Sequence, residues 1–167
     1  FRAAAETARH TEDFVIINEG HWGTTCASVG CMPSKALIQP AVELHRQKLL
    51  AAMGLAGGGE LAVDGPALMR RVRTLRDRFV GALLPRQGMF PGKVIAGRAR
   101  FLEPDLLGVE GQRIKARRVI IATGSAPVVP AAWAGLGDRV MISDQVFELD
   151  EPPASLAVIG LGAIGLE

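Results

Sequence analysis

The chain has 167 residues, of which 49% are hydrophobic and 22% charged, and a formal net charge of +2. That length suits one domain with a sizeable core, or one domain plus the start of another. The near-neutral balance gives no electrostatic case for nucleic acid, no apolar run approaches the ~20 residues of a membrane-spanning helix, the residues from Phe1 onward show no signal-peptide pattern, and two cysteines are too few for a secreted disulfide scaffold.

Residues 1–10, rich in Ala and Arg, read as the end of a helix. The apolar run Phe14 to Ile17 reads as a buried strand of a parallel sheet, closed by Gly20. A turn rich in Gly, Thr and Cys spans Gly23 to Gly30. A helix then starts around Pro33 and continues through Ala36, Leu37, Ala41, Leu44, Leu49 and Leu50, with a kink expected at Pro40. Gly54 to Gly59 form a plain loop, with neither the preceding strand nor the spaced lysine of a phosphate cradle. Asp64 caps a second helix over roughly residues 66–84, with Pro66 in its first turn. Leu68, Val72, Leu75, Phe79 and Leu83 line its apolar side. Arg70, Arg71, Arg73, Arg76 and Arg78 read as a solvated face, with an acidic partner as the alternative.

From Lys93 the period changes to two. KVIAGRARF and LLGVEGQRIKA, joined by a turn near Pro104, read as short antiparallel strands. ARRVIIATGSAPVVP reads as a buried strand running into a Thr-Gly-Ser turn. Pro152 and Pro153 mark a boundary. SLAVIGLGAIGLE reads as another buried strand entering a glycine-rich turn.

The densest chemistry lies in GTTCASVGCMPSK, Gly23 to Lys35. Cys26 and Cys31 stand five positions apart. On a regular helix their Cα atoms would be roughly 8–9 Å apart, whereas a disulfide needs about 4.4–6.8 Å. The pair can close only across a distorted helix start, which Gly30 makes accessible to the backbone. A disulfide in such a place is strained and reducible, and a thiolate near a helix N-terminus is stabilised. The bland alternatives are a lone structural disulfide, which gains little entropy over so short a loop, buried thiols, or half of a metal site. His10, His21 and His45 lack ligand spacing, so no metal is expected.

These thirteen contiguous residues resemble the redox-disulfide segment of the class I pyridine nucleotide-disulfide oxidoreductases. Within that family they are most similar to the dihydrolipoamide dehydrogenase group, through GTTC rather than GGTC. The resemblance spans the whole chain, because two further motifs follow in order. It implies an α/β fold: a partial FAD-binding, Rossmann-like domain of the glutathione reductase type, with a helical excursion and an antiparallel β-meander. Residues 1–150 would be that domain without its first strand and GxGxxG loop, and 151–167 the start of an NAD(P)-binding domain.

The resemblance also implies roles. Cys26 would exchange with the dithiol substrate, and Cys31 would be the flavin-side, charge-transfer thiolate. Lys35 would sit near the flavin, paired with Glu167. Thr25 and the strand end Ala122, Thr123 and Gly124 would contact FAD. Asp144, in SDQVF, would lie in the connection between the two nucleotide domains. Gly160, Gly162 and Gly165, a GxGxxG after an expected strand, would hold the pyrophosphate of NAD. An acidic group after the first strand of the chain should meet the adenosine ribose. Glu19 suits it chemically, while spacing back from Cys26 reaches Asn18.

The implied parent is a cytoplasmic homodimeric enzyme that oxidises dihydrolipoamide, free or on a lipoyl domain, with NAD⁺. The alternatives are a mercuric reductase-type or other NAD(P)H-disulfide reductase, or a non-catalytic remnant. The family's histidine–glutamate acid/base pair lies in a C-terminal domain, and none of the three histidines fits that role. The 167 residues by themselves are therefore expected neither to turn over nor to retain FAD.

Overall fold

The computed structural model describes residues 2–20, 22–57, 59–83 and 88–167. They form two compact units, each assembled from two stretches of chain: Phe1–Gly23 with Gly81–Ser125, and Thr24–Val80 with Ala126–Glu167.

The first unit opens with α1 (Arg2–Ala8). Strand β1 (Ile16–Asn18) pairs in parallel with β2 (Val94–Ala96), Ile16 facing Val94 and Asn18 facing Ala96. A parallel pair cannot be closed by a tight turn, and the chain between these strands carries the long helices. Phe14 packs edge-to-face on Phe90, ring centroids 5.8 Å apart, and the Lys93 ammonium lies 5.6 Å from the centre of the Phe14 ring. A separate antiparallel meander follows: β3 (Arg100–Glu103), β4 (Leu106–Val109) and β5 (Gln112–Lys115). Alternate residues of β4, Leu107 and Val109, are buried, as a half-buried strand requires. The two-residue turn Glu110–Gly111 has positive φ at both positions, 44° and 78°. That sign at both central residues is the type I′ pattern that matches strand twist.

The second unit holds α2 (Thr25–Ser28), α3 (Cys31–Leu50) and α4 (Gly65–Leu83, whose last turn runs into the first unit), then two 3₁₀ segments, Ala131–Arg139 and Ser143–Glu148, and α5 (Ala163–Leu166). The Asp64 carboxylate accepts from the Ala67 backbone N–H at 2.9 Å, capping α4. Met69 and Val72 on α4 are buried, as is Phe147. An apolar cleft is lined by Leu37, Met69, Met141, Val146, Leu149 and Leu156, among others.

Several expectations are corrected. The run at 14–17 forms its strand two residues later, at Ile16–Asn18, and is half-buried. KVIAG leaves the antiparallel set: its Val94–Ala96 joins β1 in parallel, and only the three later strands form the meander. The expected strands in ARRVIIATG and SLAVIG do not form, and their apolar side chains are exposed, Ile120 at 65% and Ile159 at 73%. A strand exists only where a neighbour completes its ladder, and among the described residues none pairs with either run. The arginine face of α4 is only partly solvated. Arg73 donates to the Leu149 carbonyl, and Arg76 binds the Glu148 and Asp77 carboxylates. These two side chains are 23% and 15% exposed. Residue 84, the expected end of α4, lies outside the described residues, as does His21.

Candidate active site

The two cysteines are brought together by a break between two helices. Thr24 caps α2 in an extended conformation, its hydroxyl accepting from the Ala27 N–H at 3.2 Å. That single turn carries Cys26. Val29 closes it by donating to the Thr25 carbonyl at 3.0 Å. Gly30 then leaves helical geometry, with φ −134° and ψ −123°, and Cys31 is the first residue of α3. A Cβ on Gly30 would lie 3.0 Å from the Thr25 oxygen and 3.2 Å from the Cys26 Cα. Any side chain there would force the two helices apart. The spacing that a continuous helix forbids is reached because the helix is cut at a residue without a side chain.

Both thiols are free and exposed. The adjacent Cys31 thiol, acting as a hydrogen-bond partner, raises the pKa of Cys26 above that of an ordinary cysteine. The positive charge of Lys35 acts the other way, as a lesser influence.

One turn further along α3, Ser34 and Lys35 meet the side chain of Glu167. The Lys35 ammonium forms an ion pair with Glu167 Oε1, and the Ser34 hydroxyl donates to the same oxygen. Both hold the Glu167 carboxyl below the usual carboxylate range, Lys35 the more strongly. Lys35 is 64% exposed and Glu167 31%, so the pair lies at the surface of this unit rather than buried. Ser34 was not among the residues singled out from sequence. Its signal is its place between Pro33 and Lys35, three residues after Cys31, one helical turn on, where its hydroxyl reaches the Cys31 carbonyl.

Thr25 is exposed at the first position of α2. Its neighbour Thr24, also missed, does the capping. In the glycine motif Gly160 has φ +124° and Gly162 is the cap residue before α5. A Cβ on Gly165 would fall 2.0 Å from the Gly160 oxygen. The third glycine is therefore required by close approach of helix to loop. Asp144 accepts from the Ser143 hydroxyl at 3.2 Å.

Glu19, Ala122, Thr123 and Gly124 belong to the other unit. Glu19 follows β1 directly, and its carboxylate is 3.7 Å from the Arg98 guanidinium. The Asn18 side chain is turned to the Gly20 carbonyl, donating at 3.2 Å. Of the two, Glu19 keeps its acceptors open to solvent. Ala122–Gly124 are exposed, with φ +74° at Gly124. No group of three or more His, Cys, Asp or Glu suited to a metal occurs among the described residues, nor a helix long and apolar enough to cross a membrane.

The family model for pyridine nucleotide-disulphide oxidoreductases matches residues 1–167. The chain belongs to that family. Over its full length it is 29% identical to the dihydrolipoyl dehydrogenase of Bacillus subtilis and 32% identical to the mercuric reductase of Lysinibacillus sphaericus, and it covers 38% and 31% of those proteins. It therefore spans about a third of the length of the curated relatives it matches. Among solved structures it is similar to the HOCl-induced flavoprotein disulfide reductase RclA from Escherichia coli, with TM-score 0.75 and 24% identity over 99% of this chain and 35% of that one. That likeness shows the fold.

The residues present suit the nucleotide groups of the family. A carboxylate at the end of a parallel strand, as at Glu19, is the chemistry that binds a ribose diol. Around Gly160 and Gly162 nothing lies within 4 Å of where a Cβ would stand, so the backbone there is open to a group that binds main-chain N–H.

Proposed function

We propose that the enzyme of which this chain is a part oxidises dihydrolipoamide with NAD⁺, through reversible closure of a Cys26–Cys31 disulfide. The observation that carries this reading is the helix break at Gly30, which sets Cys26 on one short helical turn and Cys31 at the start of the next helix, both thiols exposed. In the proposed reaction a substrate thiolate attacks Cys26 Sγ of the closed disulfide, and Cys31 leaves as a thiolate. The second substrate thiolate then attacks the substrate sulfur of the mixed disulfide. Lipoamide forms, and Cys26 leaves and takes up a proton. Two electrons have passed from substrate to the cysteine pair. FAD, when bound, supplies the acceptor through which those electrons continue to NAD⁺.

Cys26 suits the exchange role because it is exposed, as a thiol that meets a substrate must be. Cys31 is the first residue of the twenty-residue helix α3, which in this reading sets it on the flavin side of the pair. Glu19, Thr25 and Ala122–Gly124 would hold FAD, and Gly160, Gly162 and Gly165 the NAD pyrophosphate. Residues 1–150 would belong to the FAD domain and 151–167 to the NAD domain of a cytoplasmic homodimer, whose substrate arrives as a free or protein-bound lipoyl group.

The second reading is a mercuric reductase, favoured by a relative of comparable identity. The test is an assay of the complete enzyme with dihydrolipoamide and NAD⁺, and with NAD(P)H against Hg(II) and glutathione disulfide. Rapid dihydrolipoamide oxidation that is lost in both Cys26→Ser and Cys31→Ser supports the proposal. Turnover of Hg(II) alone would replace it with the second reading.

A further inference from the structure

Ser34 has one hydroxyl hydrogen and two acceptors. Its Oγ lies 3.1 Å from the Cys31 carbonyl and also in hydrogen-bond contact with Glu167 Oε1. A serine hydroxyl donates once and accepts through its lone pairs, so the two contacts cannot both be donated at once. While Glu167 carries its charge, the hydrogen belongs to the carboxylate, because a bond to an ionised acceptor is the stronger. The Cys31 carbonyl then lacks it. Glu167 meets Lys35 on the same oxygen, and Lys35 is its charged partner among the described residues. Ser34 thus stands between the carboxylate and the backbone of a redox cysteine, on the first turn of α3.

We propose that Ser34 is a positioning residue: its hydroxyl fixes the Glu167 carboxylate on Lys35 and ties that ion pair to the helix start that carries Cys31. This rests on the reading of Cys26 and Cys31 as the redox pair. Without Ser34, Lys35 alone holds a carboxylate whose ammonium partner is mostly exposed. An exposed pair of long side chains keeps no single geometry. The Lys35 ammonium then no longer keeps a fixed place relative to the cysteines. Substrate binding at Cys26 is untouched, so the effect falls on kcat and not on KM.

The experiment uses the complete, flavin-loaded enzyme as wild type, Ser34→Ala and Ser34→Thr. The Glu167 carboxyl is followed by ¹³C NMR after ¹³Cδ-glutamate labelling, with its resonance assigned by Glu167→Gln. Expected for Ser34→Ala are a Glu167 titration moved toward higher pH and a roughly 10-fold fall in kcat for dihydrolipoamide at unchanged KM, the size of one hydrogen bond to a charged group. Ser34→Thr, which keeps the hydroxyl, should restore both. A Glu167 titration identical in wild type and Ser34→Ala overturns the proposal, as does a loss in Ser34→Ala that Ser34→Thr does not restore. If the wild type does not oxidise dihydrolipoamide, the proposed reaction falls, and the NMR titration alone decides on Ser34.

Discussion

The reactivity of Cys26 is set by the neighbouring cysteine. A hydrogen bond with the Cys31 thiol raises the pKa of Cys26. The neutral form is the favoured one, so the Cys26 thiolate becomes abundant only above the range of an ordinary cysteine. With the reduced enzyme, alkylation at Cys26 by iodoacetamide should therefore rise with pH along a curve displaced to the alkaline side. Cys31→Ala removes the largest cause and should bring that curve back toward lower pH. Peptide mass spectrometry at a series of pH values reads both. A Cys26 curve unmoved by Cys31→Ala would mean that the thiols do not communicate. Glu167 has the opposite sign. Its pKa is lowered by Lys35 and Ser34, so its contribution to stability is present above the unfolded carboxylate pKa. It is lost as pH falls through the depressed folded value. Lys35→Met should remove the larger part of that contribution, leaving that of Ser34, and the acid limb of a thermal-melting series should then be shallower in this region.

Gly30 belongs to the same scale and shows how much of the site is legible in the residues. The spacing of Cys26 and Cys31 excludes a regular helix, and the structure cuts the helix at the residue without a Cβ. Gly30→Ala sets a methyl group 3.0 Å from the Thr25 carbonyl oxygen. The backbone must shift to relieve it, which moves Cys31 away from Cys26. The expected result is a cost of about 1–3 kcal/mol in urea unfolding, as for overpacking elsewhere. Disulfide closure should also slow, followed by thiol titration after oxidation. Ser34 escaped the sequence reading for a converse reason. Its partner Glu167 is 133 positions away, and no local pattern announces a contact of that kind.

At the scale of elements, local signals were reliable and pairing was not. The two long helices lie where periodicity and caps put them, with Asp64 on the Ala67 N–H as its position before Pro66 suggested. The meander follows from alternation and turn residues. The choice of neighbour for KVIAG does not, since a short apolar run suits parallel or antiparallel pairing alike. The arginines of α4 make the same point. Five of them read alike in sequence, yet Arg73 and Arg76 bind the 148–149 stretch while Arg70, Arg71 and Arg78 are exposed. Arg76 is 15% exposed and has two carboxylate partners, so it is more than a solvated pair. Arg76→Met should destabilise the protein by about 1–3 kcal/mol, while Arg71→Met should stay within about 0.5 kcal/mol. A double-mutant cycle of Arg76→Met with Glu148→Gln should show positive coupling. Equal, negligible effects at Arg71 and Arg76 would restore the view of a uniformly solvated face.

At the scale of the molecule, the composition of two segments and their surroundings disagree. VIIA at 119–122 and LAVIGL at 156–161 have the unbroken apolar character of strands covered on both faces. Yet Ile121 is 69% exposed, Val158 58% and Leu161 84%. Burying each such side chain is worth about 1.5–3 kcal/mol, so the two segments together carry a strong drive toward any surface or chain that covers them. The periodicity reported this drive correctly, whereas the partner is a nonlocal matter that no window of sequence contains. A polypeptide of these 167 residues should therefore bind a hydrophobic dye such as ANS strongly, with a blue-shifted emission, while the complete enzyme binds it weakly. The same polypeptide should release FAD on dialysis and show no NADH-dependent reduction of lipoamide, because the ordering of these runs is what would present Ala122–Gly124 and Gly160–Gly165 to nucleotides. Charged replacements on the open side chains, Ile120→Lys with Ile159→Lys, should lower dye binding by the polypeptide and destabilise the complete enzyme, opposite effects that share one cause. A 167-residue polypeptide that stays yellow through dialysis and binds little ANS would mean that these runs are covered within it, and that the exposure argued from Ile120 and Ile159 is not its state in solution.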